Sequence, residues 1–216
     1  MSPHLLLQPS RRTLTPTEAE HLRERIRRSG GRRLTNLVLA SGLFVGLWLL
    51  TPWGTDKQFW VATLTWLVIG AAILGWAYWD VRRHARIAGE LFASALRRNA
   101  ADVFDIKATR FLTFEEVEDE GAAYAFELEG GGTVFVTGQD FYEHDAFPCL
   151  DFSIVHLLGE NGEIADLLIE SHAAKAAPAR VLSAAAKKAL GLPEHLTVMN
   201  TPLADVETEF NSVPVH

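Results

Sequence analysis

Cysteine is almost absent from this chain: Cys149 is the one thiol in 216 residues. A single thiol excludes a disulfide framework and suits a reducing compartment. No C-x-x-C or H-E-x-x-H pair occurs, so the common zinc-ligand spacings are missing. Gly130-Gly131-Gly132 has no following Lys-Ser or Lys-Thr and no strand-to-helix context, which excludes a phosphate loop. There is no dinucleotide-binding fingerprint and no serine-hydrolase elbow. The acidic run from Glu115 to Glu120 lacks the spacing that wraps calcium and reads as a solvated turn.

Charge is also missing, over two long stretches. Leu34–Leu50 and Phe59–Trp79 hold no charged residue, and only TPWGTDKQ lies between them. At about 1.5 Å per residue the second stretch reaches roughly 31 Å and the first roughly 26 Å, lengths that suit membrane-spanning helices. Trp48, Trp53 and Trp60 gather around the turn, and Trp76, Tyr78 and Trp79 at the far end, where aromatics favour a headgroup level. The expectation is a two-span transmembrane hairpin over 34–79. The absence of ionisable residues inside it argues against an ion pathway. Gly42-x-x-x-Gly46 forms a smooth patch for a helix contact, either within the hairpin or in a homo-oligomer.

Basic residues flank the outside of the hairpin. Eight arginines lie in residues 1–33 and five in residues 80–98, against Lys57 alone in the turn. The positive-inside rule then predicts a multi-pass inner-membrane protein with both termini cytoplasmic. The first stretch begins too far along, without an A-x-A-like exit, to be a cleaved signal peptide.

The net charge of −7 combines two opposed parts: residues 99–216 hold six basic against twenty-one acidic side chains. The basic segments favour anionic lipid, so a lipid bilayer is the expected partner. The acidic part would repel a nucleic-acid backbone, and no nucleic-acid role is expected.

Periodicity divides the rest. Thr15-Pro16-Thr17-Glu18 has the form of a capping box opening a short amphipathic helix within the basic segment 1–33. The first residues, SPHLLLQPS, show no period. Residues 80–100 read as an amphipathic helix, either continuous with the second span or separate. From Val103 the period becomes two: Phe104, Ile106 and Ala108 alternate with Asp105, Lys107 and Thr109. Tyr124–Leu128 and Thr133–Thr137 flank a glycine turn as one hairpin, and Phe152–Leu158 and Ile164–Ile169 flank GENGE as a second. Pro178–Leu190 reads as a helix stopped by Gly191 and Pro193, with a short strand at Leu196–Met199 and a loose tail over 205–216. The fold class expected is therefore a membrane α-helical hairpin plus a small cytoplasmic α+β domain, 101–204, with a mainly antiparallel sheet.

The densest reactive cluster is Glu143-His144-Asp145…Cys149…Asp151…His156. His144, Cys149, Asp151 and His156 are ligand types that transition metals accept, and Cys149 beside a histidine base is a conceivable nucleophile. The competing reading is structural: Pro148 and Leu150 surround the thiol as they would a small buried hydrophobe. If Phe152 faces the core, Ile154 and His156 share its face. The structural reading is preferred, so no catalytic, metal or cofactor-binding residue is assigned.

FEEVEDEGAAYAFELEGGGTVFVTGQDFYE followed by FPCLDFSIV resembles a domain of bacterial proteins of uncharacterised activity, some of them membrane-anchored, across about residues 104–170. The resemblance implies a β-rich unit and carries no catalytic residue. Taken together, the sequence predicts a membrane-anchored protein, more readily non-enzymatic, presenting an acidic interaction or regulatory domain. The alternative is a membrane-tethered enzyme or metal-responsive domain using Cys149 and its neighbouring His and Asp residues.

Overall fold

The structure, a computed structural model, describes residues 5–28, 42, 57–117 and 119–211. It divides into two units. One holds the described residues of Met1–Arg12, Ala101–Leu157 and Asp166–His216; the other holds those of Thr13–Ala100 and Leu158–Ala165.

The first unit is a curled antiparallel sheet, a half-barrel. Its strands are β1 (Leu5–Leu6), β2 (Ser10–Arg12), β3 (Ala101–Phe114), β4 (Ala122–Leu128), β5 (Thr133–Gly138), β6 (Asp151–Leu158), β7 (Ile164–Ser171), β8 (Arg180–Leu182) and β9 (Thr197–Met199). The order is β1-β9-β5-β4-β3-β6-β7, with β2 and β8 also on β3. β8 is parallel to β3, whereas β4 and β6 flank it antiparallel.

β3 is long because it serves two cores, and a bulge between Ala108 and Arg110 makes that possible. Before the bulge, Phe104, Ile106 and Ala108 face the concave side. The extra residue then reverses the parity, so Phe111 joins them while Leu112 and Phe114 turn to the other face. β4 and β5 alternate to match: Tyr124, Phe126, Val134 and Val136 enter the concave core, and Ala123, Ala125 and Phe135 face outward. Phe147 plugs the concave side, meeting Tyr124 and Phe152 edge-on at 5.4 and 5.3 Å between ring centroids.

The outward face is covered by two short helices, α3 (Ala184–Leu190) and α4 (Leu203–Asn211), through Ala186, Leu203, Val206 and Phe210. Ser183 caps α3 by accepting a hydrogen bond from the Ala186 N–H at 3.3 Å. Three local expectations change here. The helix expected over Pro178–Leu190 begins only at Ala184, because Arg180–Leu182 pairs with β3 instead. The tail expected to be loose holds α4, whose apolar side chains at Leu203, Val206 and Phe210 recur at helical spacing. The unpatterned start supplies β1 and β2, held by pairing with β9 and β3. Backbone pairing needs no apolar alternation.

The second unit pairs α1 (Pro16–Arg28) with α2 (Lys57–Arg98), a helix of 42 residues. The capping box at its start is made as expected: Thr15 N–H donates to Glu18 at 2.6 Å and Glu18 N–H to the Thr15 hydroxyl at 3.3 Å. Arg25 lies over the Phe92 ring at 5.6 Å. At the end of α2, Arg97 pairs with Glu160 at 2.7 Å, and Arg98 donates to the Gly159 and Glu160 carbonyls, which secures the GENGE turn. Residues 80–98 are continuous with the second apolar stretch in this one helix.

Among the described residues no helix is long and apolar enough to cross a membrane. This overturns the two-span hairpin anchor, the fold class built on it and the multi-pass inner-membrane placement. Leu34–Leu50, Gly42 apart, and residues 51–56 lie outside the described residues. The second stretch is part of a longer helix, and its described apolar run meets Asp80, Arg82 and Arg83. Of the two readings of 80–98, continuous or separate, the structure has the continuous one, which puts charged residues on the same helix. Gly46 also lies outside the described residues, so the Gly42–Gly46 contact is not defined; a Cβ on Gly42 would meet no described atom within 4 Å.

Candidate functional site

The reactive cluster marked by the sequence is dispersed by the fold. His144 is exposed on a loop, its backbone paired with that of Phe147 through hydrogen bonds of 2.9 and 3.2 Å. Its Nδ1 accepts a hydrogen bond from the Ala146 N–H at 3.3 Å. Cys149 is completely buried in the concave core, and its thiol donates to the Asp151 carbonyl at 3.3 Å. Glu143 pairs with Lys175 at 2.6 Å, across the loop from Cys149. His156 sits at the other end of β6; at about 3.3 Å per residue the strand carries it roughly 16 Å beyond Asp151. No group of three or more His, Cys, Asp or Glu among the described residues is placed to hold a metal ion. These residues do not fit the metal-responsive alternative, and a thiol sealed in the core does not fit a nucleophile.

Three arrangements emerge that the sequence did not indicate. The first is a pair of histidines. His156, buried on the concave face, has its ring 5.0 Å from Phe104 and 6.5 Å from His195. His195 Nδ1 accepts a hydrogen bond from the Thr137 N–H at 3.2 Å, which puts the ring proton on Nε2. Neither histidine's Nε2 has a hydrogen-bond partner among the described residues. Burial, and then the neighbouring His156, bring the His195 pKa down to about 4. Burial also lowers that of His156, with the Asp102 charge opposing.

The second is Asp105–Ser153–His172. Ser153 Oγ donates to Asp105 at 2.6 Å and lies 2.8 Å from His172 Nε2. The composition is that of a hydrolase triad, but the order is different: serine, not histidine, stands in the middle. A hydroxyl has one proton, and here Asp105 accepts it, so that proton is not offered to His172 as to a base. Ser153 is also buried. The three side chains form a polar tie across the sheet.

The third is a cleft of about 480 Å³ at one end of the same unit. Gly121 and Ala123 at the start of β4 and Thr137 and Gly138 at the end of β5 line it opposite Lys187 and Lys188 on α3. Gly121 has φ +88°, and a Cβ there would lie 2.6 Å from the Gly138 carbonyl oxygen, so the two backbones approach as only glycine permits. Lys187 is buried along its length, and its ammonium pairs with Glu120 at 3.1 Å. The sequence signals available were the paired lysines on an alanine-rich helix and the glycines bounding two strands. Nothing in one dimension joins them.

No family model, curated protein or solved structure matches this chain. The arrangement itself is a β-rich unit with a side cleft. The resemblance noted over residues 104–170 adds no functional residue to it.

Proposed function

We propose that the β-rich unit is a non-enzymatic interaction or regulatory domain that acts by holding a ligand in the cleft beside α3. The observation that carries this reading is the cleft's lining. Two lysines face small residues across a space of about 480 Å³, within the range of small-molecule sites. The groups suited to covalent chemistry are closed away: Cys149 is in the core, and the Ser153 proton is held by Asp105. The excess of acidic side chains in residues 99–216 disfavours a nucleic-acid partner.

A protein-observed NMR screen of the isotope-labelled full chain, with charged and neutral small molecules, tests this reading. Binders should shift the backbone resonances of Gly121, Thr137 and Gly191 and be recovered unchanged after prolonged incubation. Chemical conversion of a bound molecule, or binding that leaves these resonances unmoved, would refute it.

A further inference from the structure

We propose that the cleft is a site for a small-molecule oxyanion, a carboxylate or a phosphate, with the Lys187 ammonium as anchor and Glu120 as a built-in occupant that the ligand displaces. This rests on reading the unit as a binding domain and names the ligand's chemistry.

Lys187 is the unusual residue. Its side chain is 8% exposed, while that of its partner Glu120 is 57% exposed. A buried ammonium is costly without a counter-charge, so something anionic must stand beside it. Glu120 does so from the connection between β3 and β4, which leads directly into Gly121 and the cleft floor. A lysine has three N–H donors, and one ion pair with a carboxylate does not use them all. Glu120 therefore has the place and the charge of a ligand, attached to the protein.

The surrounding charge points to an anion. Residues 99–216 contain four lysines, and two of them, Lys187 and Lys188, line this one cleft. Lys107 and Lys175 are elsewhere, each beside an acidic side chain. Lys188 is exposed at the rim, where it adds attraction for an incoming anion. Gly121, Ala122, Ala123 and Gly138 leave this part of the lining without bulky side chains, so the space of the open cleft is available. Among the described residues lining the cleft, Lys187 and Lys188 stand against the Glu120 carboxylate, while Glu116 beside it is engaged by the Gly121 N–H at 3.1 Å.

Isothermal titration of the full chain with inorganic phosphate, with succinate and with uncharged dimethyl succinate provides the test. One of the two anions should bind one per chain, more weakly at higher salt, and the stronger of them identifies the phosphate or carboxylate source. Glu120→Gln should tighten that anion about three- to tenfold, because an internal competitor is removed. Lys188→Gln, at an exposed position, should weaken it several-fold, and Lys187→Met should abolish it. Unchanged or weaker binding in Glu120→Gln overturns the proposal, as does failure of both anions to bind wild type and Glu120→Gln. Equal binding of dimethyl succinate overturns the anion preference but leaves the binding-domain reading standing. No binding by any ligand, here and in the NMR screen of charged and neutral molecules, refutes both.

Discussion

His156 and His195 stack across the concave side of the half-barrel with ring centroids 6.5 Å apart and planes inclined by 27°. His156 belongs to β6, whereas His195 is tied to β5 through the Thr137 N–H. Three strand spacings separate β5 from β6 in the sheet order, roughly 14 Å if the sheet were flat. The histidines meet only because the sheet curls, so they report on the intactness of that curl.

Acid should therefore loosen the unit. The folded pKa values of both histidines lie below the ordinary value of 6.5, that of His195 at about 4. The unfolded chain takes up these protons as pH falls through about 6.5, and the folded chain only near the lowered values. Stability is thus full above about pH 6.5 and declines toward pH 4, by at most about 1.4 kcal/mol per pH unit for each histidine. Urea unfolding between pH 7.5 and 4.5 measures the slope. His156→Phe, which keeps an aromatic ring against Phe104, should make it shallower.

Gly121→Ala should cost more than a change of one methyl group suggests. Its φ of +88° and the nearness of the Gly138 backbone leave no place for a Cβ. A loss of about 2 kcal/mol or more is expected from the strain and the displaced strand end, read as a lower urea midpoint. The contrasting variant is Gly131→Ala, where a Cβ would meet no described atom within 4 Å although φ is likewise positive. Its cost should be smaller, about 1 kcal/mol.

Cys149 should behave as a core residue. Its thiol is sealed beneath Phe147 and Phe152, so a thiol reagent should label it slowly in the native chain and rapidly in urea. Cys149→Ala should cost on the order of 1 kcal/mol, and His144→Ala, on the exposed loop, less. Rapid native labelling would contradict the burial.

Removing α4 from the sheet should be expensive. Phe210 meets Phe114 edge-on at 5.0 Å and closes the outward core. Phe210→Ala should destabilise the unit by about 3 kcal/mol. A calorimetric or urea midpoint unchanged from wild type would return the segment to the loose tail expected from sequence.

Local patterns were legible where the cause of structure is itself local. The Thr15–Glu18 capping box, the β4–β5 hairpin around Gly130–Gly132 and the placement of His156 on the face of Phe152 and Ile154 each follow from neighbouring residues. The second apolar stretch misled because length and hydropathy describe a segment and not the whole helix it belongs to, while the first, Gly42 apart, lies outside the described residues. Among the described residues, the second is part of one helix with charged residues beyond it, and no described helix is long and apolar enough to cross a membrane.

By itself the sequence determined the alternation of β3 as far as Ala108, the turn chemistry, the acidic balance of residues 99–216 and the lack of any familiar ligand or nucleophile spacing. Only the tertiary structure decided which strands are neighbours, and with them the site. Asp105 reaches Ser153, His156 reaches His195 and Glu120 reaches Lys187 across separations of 48, 39 and 67 residues. Such pairings depend on strand register and sheet curl, which arise from the packing of Phe126, Phe147 and Phe152 into a shared core. No one segment encodes that packing, because each aromatic side chain finds its neighbours only when the others are in place.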